Sequence, residues 1–233
     1  MSWRATPEKG IPLSSGVGGS AASAVAAMKA AQVLVDPPLS DDEVLHYALQ
    51  GEAVASGALH GDNVVPMLHG GLVLTRSLDP LDVVPIAVPE GLFTVLAHPN
   101  MQISTRSARA VLPQAFPVEA IVQQTGNLAA LIAACYEGDY ALIGRSLDDV
   151  LIEPYRARLI PGFDEVMAGA REAGALGGSI SGAGPSVFAW CETEAIATRV
   201  GEAMSEAFAT VELDADIWTA PVDSAGARRI EAN

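Results

Sequence analysis

The chain has 233 residues, half of them hydrophobic, which suffices for one large domain or two small ones around a substantial core. Its formal net charge of −15 argues against nucleic acid or an anionic membrane as a partner. The two cysteines are isolated, which argues against a disulfide framework and against a zinc site. The sequence contains no apolar run of membrane length, and it lacks a signal-peptide pattern, which argues against secretion. We therefore predict a soluble cytoplasmic protein.

The first predicted element is a glycine-rich turn at residues 16–20 that leads into an Ala-rich helix at residues 20–34. Glycine allows positive φ and the close approach of a ligand, and a helix N-terminus presents unpaired N–H groups with a partial positive charge. The pattern predicts a phosphate-binding loop, and the alternative is a turn that only begins a helix. Because the helix is apolar on nearly all sides, we expect it to be buried.

Two common phosphate loops fit this turn poorly. A P-loop requires Lys directly after its last glycine, and no glycine of the turn is followed by Lys. Gly16, Gly18 and Ala21 match the dinucleotide fingerprint G-x-G-x-x-A, with Asp36 at a suitable distance. That fingerprint must follow a hydrophobic strand, whereas residues 8–12 read EKGIP. A dinucleotide-binding protein remains the alternative from a different functional class.

The rest of the chain predicts helices and strands without strict alternation, which favours an α+β fold over a doubly wound sheet. Ser40 and Glu43 form a capping-box pattern at the start of the second helix. The predicted helices cover residues 40–56, 104–112, 118–136, 140–147, 161–173 and 192–208, and the predicted strands cover residues 72–75, 83–88, 93–97, 187–191 and 211–219.

A second glycine cluster, Gly182-Ala183-Gly184, lies between two apolar segments and by itself predicts a tight hairpin. Together the two clusters resemble the GHMP small-molecule kinase superfamily. PLSSGVGGSAAS at residues 12–23 is similar to its P-x-x-x-G-L-G-S-S-A-A signature, and GALGGSISGAGPSVFAW at residues 174–190 is similar to its third signature. Val17 and Gly19 depart from the pattern, where Leu and Ser are usual. The resemblance implies that the second cluster lies against the phosphate loop.

Three further segments, at residues 52–66, 100–109 and 153–156, resemble the homoserine kinases of this superfamily. The resemblance implies ATP-dependent phosphorylation of the side-chain hydroxyl of L-homoserine with Mg²⁺, and it assigns roles residue by residue. The implied nucleotide-binding residues are Pro12, Ser15, Gly16, Gly18, Gly19, Ser20, Ser181, Gly182 and Gly184; the metal-binding residues are Ser20 and Glu52; the substrate-binding residues are His60, Asp62, Asn63, Arg109 and Arg156; and the residues at the reacting phosphate are Glu52 and Thr105.

The chemistry of these side chains agrees with the implied roles. Arginine forms a planar fork suited to the carboxylate of an amino acid. Thr105 and Arg109 are four residues apart on a predicted helix, so they share one face. A carboxylate at Glu52, near the end of a buried type of helix, is costly unless a metal satisfies it. The alternatives are surface ion pairs for Arg109 and Arg156, a solvated helix residue at Glu52 and a turn residue at His60.

The resemblance implies two domains: a ribosomal-protein-S5-like N-terminal domain at residues 1–84, incomplete here, and a ferredoxin-like C-terminal domain at residues 85–233. Similar kinases carry a further segment before the phosphate loop, so we expect a truncated homoserine kinase that is weakly active and prone to associate. A homodimer is also implied. Another GHMP kinase and a non-catalytic relative remain open, no catalytic base is predicted, and no role is assigned to His46, His69 or His98.

Overall fold

The computed structural model describes residues 6, 8–12, 14–57 and 59–230, and these fall into two compact units. Unit 1 contains residues 18–86 and the described parts of 1–12 and 223–233, and unit 2 contains residues 14–17 and 87–222. The chain therefore changes unit between Val17 and Gly18, inside the glycine-rich turn. The domain boundary expected between residues 84 and 85 stays a prediction.

The described part of unit 1 consists of three helices and a β-hairpin. They are α1 (Gly19–Gln32), α2 (Asp41–Ser56), α3 (Val64–His69), β1 (Leu72–Leu78) and β2 (Leu81–Ile86). β1 and β2 pair antiparallel. Their core contains Ala21, Val25, Val44, Leu45, Ala48, Leu49, Val64, Val65 and Leu68.

Helix α1 is less buried than its composition suggested. Ala21 and Val25 are buried, whereas Ala26 and Ala27 are exposed. The expectation of burial on nearly all sides was therefore wrong for one face. The reason is that alanine occurs in cores and on surfaces alike, so an Ala-rich helix shows no clear apolar stripe.

Helix α2 confirms the predicted capping box. The Glu43 backbone N–H donates to Ser40 Oγ, and the Glu43 carboxylate accepts from the Ser40 N–H. The helix ends at Gly57, which adopts a left-handed φ of 76°. Helix α3 was not predicted because six residues are too few to show a helical period. Strand β2 starts and ends two residues before the predicted strand at 83–88.

Unit 2 contains a four-stranded antiparallel sheet. Its strands are β3 (Phe93–Pro99), β4 (Gly177–Ile180), β5 (Val187–Cys191) and β6 (Ala215–Pro221), in the order β4-β5-β3-β6. This β-α-β-β-α-β topology is ferredoxin-like and confirms the expectation for the C-terminal half. Strand β6 lies later than the predicted 211–219. Strand β4 was not among the predicted strands, although the hairpin predicted at residues 182–184 requires a strand before it. Gly178 is needed in β4 where the strand passes close to the backbone of Phe188.

Six helices are described in unit 2, together with a short 3-10 helix at Ala157–Leu159. They are α4 (Thr105–Ala110), α5 (Val118–Glu137), α6 (Tyr140–Ser146), α7 (Glu153–Arg156), α8 (Phe163–Glu172) and α9 (Glu194–Ala209). The unit's core includes Val95, Ala97, Phe163, Val166, Met167, Val187, Val200, Met204 and Phe208. No helix in the described residues has the length and apolar character of a membrane span.

Candidate active site in each unit

The N-terminus of α1 is open to an anion. Gly18 is the N-cap residue, with a left-handed φ of 70°, and it makes no side-chain capping hydrogen bond. The first turn of α1 itself contains no acidic residue, and the helix start carries a partial positive charge. Gly19 follows with ordinary space around it: a Cβ built there would lie 3.6 Å from Ile11 Cγ2 and 3.7 Å from the Pro12 carbonyl oxygen. This geometry fits a phosphate cradle made of backbone N–H groups.

Ser20 and Glu52 meet beside this helix start. Ser20 Oγ donates a 3.0 Å hydrogen bond to Glu52 Oε1, which joins α1 to α2, and Glu52 is only 8% exposed. A hydroxyl and a carboxylate oxygen are ligands that Mg²⁺ accepts, usually together with substrate phosphates and water. Among the residues that the structure describes, no three or more His, Cys, Asp or Glu side chains are grouped so that they could hold a metal ion. The pair therefore fits a metal shared with a bound phosphate rather than a closed protein site.

Asn63 supports the glycine turn from within unit 1. A Cβ built on Gly18 would lie 2.7 Å from Asn63 Cβ, so the glycine is needed for close contact as well as for its positive φ. Asn63 Nδ2 also donates a 3.3 Å hydrogen bond to Asp62 Oδ2. Of the other two residues predicted to bind substrate in this segment, Asp62 is exposed and His60 is half-buried. A larger residue at position 18, such as Val, would therefore displace Asn63.

Residues 14–17 are held against the second glycine cluster, as the family resemblance implied. Ser181 Oγ donates to the Gly16 carbonyl oxygen at 3.1 Å, and the Ser186 N–H donates to the Ser15 carbonyl oxygen at 3.2 Å. Gly16 has a φ of 81°, and a Cβ there would collide with the carbonyl oxygens of Ser181 and Gly184, the latter at 2.8 Å. The cluster is thus both the hairpin between β4 and β5 and a support for the turn.

Ser15 carries a buried hydroxyl. The residue is 2% exposed, and among the described residues its Oγ has no hydrogen-bond partner. Leaving a hydroxyl buried without a partner costs about 1–3 kcal/mol. Such a group in a glycine-rich turn is typical of a loop whose polar atoms are satisfied when a ligand binds.

His98 lies behind residues 14–17, although the sequence assigned it no role. Its Nδ1 is 3.0 Å from Ser186 Oγ, and the two residues are 6% and 0% exposed. Burial lowers the pKa of His98, while Asp216 opposes the shift. A neutral His98 therefore fixes Ser186, whose N–H holds Ser15. No sequence signal could find this pair, because the residues are 88 positions apart.

Arg156 and Arg109 are near each other at α4 and α7. Arg156 Nε donates to the Ala108 carbonyl oxygen at 3.2 Å, and its Nη1 donates to the Gly182 carbonyl oxygen at 2.9 Å. The pKa of Arg156 is lowered, mainly by burial and also by the like charge of Arg109, while the negative charge of Asp149 partly opposes this shift. Thr105 and Arg109 do lie on one helix, as predicted, and both are exposed. Two neighbouring guanidinium groups are a favourable place for an anion.

Helix α7, which carries Arg156, is fixed by acidic residues that the sequence reading missed. Asp149 accepts hydrogen bonds from the backbone N–H groups of residues 151, 152 and 153. Ser179 donates a short hydrogen bond to Glu153, and burial raises the pKa of that carboxyl, partly offset by the Ser179 bond. These contacts attach α7 to strand β4 and orient Arg156.

The dinucleotide-binding alternative is wrong for this fold. The described residues 8–12 form no strand before the glycine turn, and neighbouring strands in both sheets are antiparallel. The fingerprint requires a strand that leads through the turn into a helix within a parallel sheet.

Comparisons with known proteins agree on one family. The families described as "GHMP kinases N terminal domain" and "GHMP kinases C terminal" match residues 4–71 and 131–210. The chain is 50% identical to a homoserine kinase of Chlorobium phaeobacteroides, over 95% of this chain and 70% of that protein. It is 51% identical to a homoserine kinase of Xanthomonas campestris, over 95% of this chain and 68% of that protein. A crystal structure of homoserine kinase from Cytophaga hutchinsonii matches with a TM-score of 0.90 and 43% identity, covering 94% of this chain and 69% of that one.

Proposed function

Because the chain belongs to the homoserine kinase family of GHMP kinases, we propose that it transfers the γ-phosphate of ATP to the side-chain hydroxyl of L-homoserine. The product is O-phospho-L-homoserine, an intermediate of threonine biosynthesis. We propose that the protein acts in the cytoplasm as a homodimer.

The hydrogen-bonded Ser20–Glu52 pair at the uncapped start of α1 is the observation that carries this proposal. The backbone N–H groups of the glycine turn bind the phosphates, because they point outward from the helix N-terminus. Ser20 and Glu52 hold Mg²⁺, which when bound neutralises charge on the phosphate oxygens. The buried Ser15 hydroxyl gains its missing partner when the turn closes on the nucleotide.

The arginines of unit 2 provide amino-acid recognition. Arg109 binds the substrate carboxylate, and Arg156 both neutralises that carboxylate and keeps Gly182 and the end of α4 in place through its backbone bonds. Like-charge repulsion between the two guanidinium groups is relieved when an anion binds. His60, Asp62 and Asn63 contact the remaining polar groups of the amino acid.

Phosphoryl transfer depends mainly on positioning and charge neutralisation, so the reaction needs no strong protein base. Thr105 is on the same helix as Arg109, and we assign it a position beside the transferring phosphate. Its exposed hydroxyl donates a hydrogen bond to a phosphate oxygen. The exposed side of α4 thus contributes both a cation and a hydroxyl.

A substrate panel tests the proposal. ATP consumption is measured with homoserine, serine, mevalonate and galactose, and the product is identified by mass. We expect ADP formation that depends on homoserine. Preference for mevalonate or galactose would assign the chain to another GHMP kinase activity, and nucleotide binding without turnover would make it a non-catalytic relative.

A matched pair of variants tests the metal-binding role. Glu52→Gln keeps the shape of the side chain and removes its charge, and it should lower kcat/KM by about 100-fold, or about 2.7 kcal/mol. Asp42→Asn removes an exposed charge from the same helix and should leave kcat/KM unchanged. Equal rates for the two variants would reject Glu52 as a metal ligand.

A further inference from the structure

Helix α7 is too short to hold its own orientation. It spans Glu153–Arg156, four residues with a proline in its first turn. Isolated helices shorter than about a dozen residues are marginal in water, so a single turn takes its direction from the contacts that its side chains make. The contacts of α7 therefore decide where Arg156, the arginine assigned to the substrate carboxylate, directs its guanidinium group.

The start of α7 is capped from within its own segment of the chain. The Asp149 carboxylate accepts hydrogen bonds from the N–H groups of residues 151, 152 and 153 at 2.9, 2.8 and 3.2 Å. Because Asp149 lies only four residues before Glu153, this cap forms the turn but moves together with it. A contact with another element is needed to fix α7 against the sheet of unit 2.

Two side chains of α7 reach strand β4 and the turn that follows it. Ser179 Oγ in β4 donates a short hydrogen bond to the Glu153 carboxylate. Arg156 Nη1 donates to the Gly182 carbonyl oxygen at 2.9 Å. Glu153 and Arg156 are three residues apart and lie on one side of the helical turn. Their two partners are also three residues apart in the chain, so α7 is attached at two points along one stretch.

Two points of attachment constrain the helix more than one does. With only the bond from Arg156 to Gly182, α7 could pivot about that bond. The bond between Glu153 and Ser179 removes this freedom. Ser179 is 9% exposed and Glu153 is half-buried, so water competes little for the contact.

Position 153 requires an acceptor oxygen more than it requires a charge. Burial raises the pKa of the Glu153 carboxyl, and the negative charges of Asp149 and Asp148 add to the shift, while the Ser179 bond and the positive charge of Arg171 oppose it. The surroundings thus disfavour the charged form. A neutral amide oxygen at this position would accept the Ser179 hydrogen bond equally well.

The remaining donors of Arg156 are available to a substrate. Its Nε donates to the Ala108 carbonyl oxygen at 3.2 Å and its Nη1 to that of Gly182. A guanidinium group has five N–H donors in a rigid planar fork, so these two bonds leave three donors in fixed directions. Because the fork is rigid, a tilt of α7 would turn those three donors away from a carboxylate bound beside Arg109.

We infer that Glu153 is a positioning residue for amino-acid recognition: its bond to Ser179 fixes α7 against β4 and holds the Arg156 guanidinium where the substrate carboxylate binds. The inference rests on the proposed function, in which Arg156 recognises homoserine. Glu153 acts only through Arg156 and makes no contact with the substrate.

Steady-state kinetics of four variants test the inference. Glu153→Ala and Ser179→Ala should each raise the KM for homoserine by about 5- to 10-fold, as expected for one lost hydrogen bond, and leave kcat and the KM for ATP within about twofold. Glu153→Gln keeps the acceptor oxygen and should stay within about twofold of wild type. The double variant Glu153→Ala/Ser179→Ala should be no worse than either single one, because both residues act through one bond.

The kinetic pattern separates positioning from stability. A smaller folded fraction lowers kcat but leaves KM unchanged, so a rise limited to the KM for homoserine reports on recognition. Glu165→Ala removes an exposed carboxylate from α8 and should change neither KM. Thermal unfolding gives the folded fraction of each variant. The double variant removes donor and acceptor together, so it decides the test if a single substitution unfolds the protein.

Chemical modification gives a second measurement that requires no homoserine. Phenylglyoxal reacts with guanidinium groups, and mass mapping gives the rate at Arg156 relative to exposed Arg109 in the same sample. This ratio should rise about fivefold in Glu153→Ala and stay within about twofold of wild type in Glu153→Gln.

The two measurements distinguish failure of the inference from failure of the proposed function. An unchanged modification ratio in Glu153→Ala overturns the inference, whatever substrate the enzyme uses. So does homoserine turnover with the same KM in wild type and in the Ala variants. A wild type that ignores homoserine while the ratio rises as expected supports the positioning of Arg156 and rejects the proposed function.

Discussion

Residues 14–17 and residues 18–21 form one continuous glycine-rich segment that leads into helix α1, yet the two parts belong to different units and are built differently. In the first part, Ser15 and Gly16 are bonded through their carbonyl oxygens to the second glycine cluster, and Gly16 has no room for a side chain. In the second part, the helix start has no side-chain cap and Gly19 has ordinary space. One short motif thus contains an anchored part whose shape depends on packing and an open part that is available for chemistry.

The largest expected difference between the two parts is in stability. Gly16→Ala combines a left-handed φ with a collision against backbone, and it should lower the free energy of unfolding by about 2–4 kcal/mol. Gly19→Ala meets only ordinary contacts in the first turn of α1 and should change it by less than about 0.5 kcal/mol. Urea unfolding measures both. Equal losses would mean that the two parts are equally constrained.

Substitutions in the open part should lower catalytic activity rather than stability. Ser20→Ala removes the hydroxyl that contacts Glu52 and should lower kcat/KM by about 10- to 100-fold, or about 1.4–2.7 kcal/mol, with a shifted dependence on Mg²⁺ concentration. Ser23→Ala is the control, because that hydroxyl bonds the Gly19 carbonyl oxygen within the same helix. Similar losses in both variants would indicate a general helix effect rather than a metal site.

Arg156 and Arg109 allow a similar comparison between an anchored side chain and an exposed one. Arg156→Ala leaves two backbone carbonyl oxygens without their donor and should lower the free energy of unfolding by about 1–2 kcal/mol. Exposed Arg109→Ala should leave that free energy within about 0.5 kcal/mol. Both variants should raise the KM for homoserine more than the KM for ATP. A rise confined to ATP would move these residues to the phosphates.

The smallest expected effect is a pH dependence behind the anchored part. Burial holds the pKa of His98 below its ordinary value of 6.5, which applies in the unfolded chain. Between these two pKa values the unfolded chain binds more protons than the folded one. Stability is therefore fully present above pH 6.5 and falls as the pH drops towards the lower folded pKa. The difference between wild type and His98→Gln isolates this contribution from that of the carboxyl groups. A difference that does not change with pH would show that His98 is not held neutral.

Several local features of the chain could be predicted because their signals lie close together in the sequence. The glycine turn, the Ser40–Glu43 capping box and the helix with Thr105 and Arg109 each lie within about a dozen residues. Contacts between residues that are far apart in the sequence could not be predicted. Arg156 donates hydrogen bonds to the carbonyl oxygens of residues 108 and 182, and any residue type would present those oxygens. The need for glycine at position 178 arises from the Phe188 backbone, ten residues away.

The sequence alone determined where phosphate chemistry is expected, because glycines, hydroxyls and helix starts act through neighbouring backbone groups. It also determined the family, because the motif order and spacing are properties of the chain. Only the tertiary structure decided which glycines have no room, that Ser20 reaches Glu52, and that His98 lies behind Ser186. The physical reason is that burial, close backbone approach and hydrogen bonds over 32 or 88 residues exist only after the chain has packed.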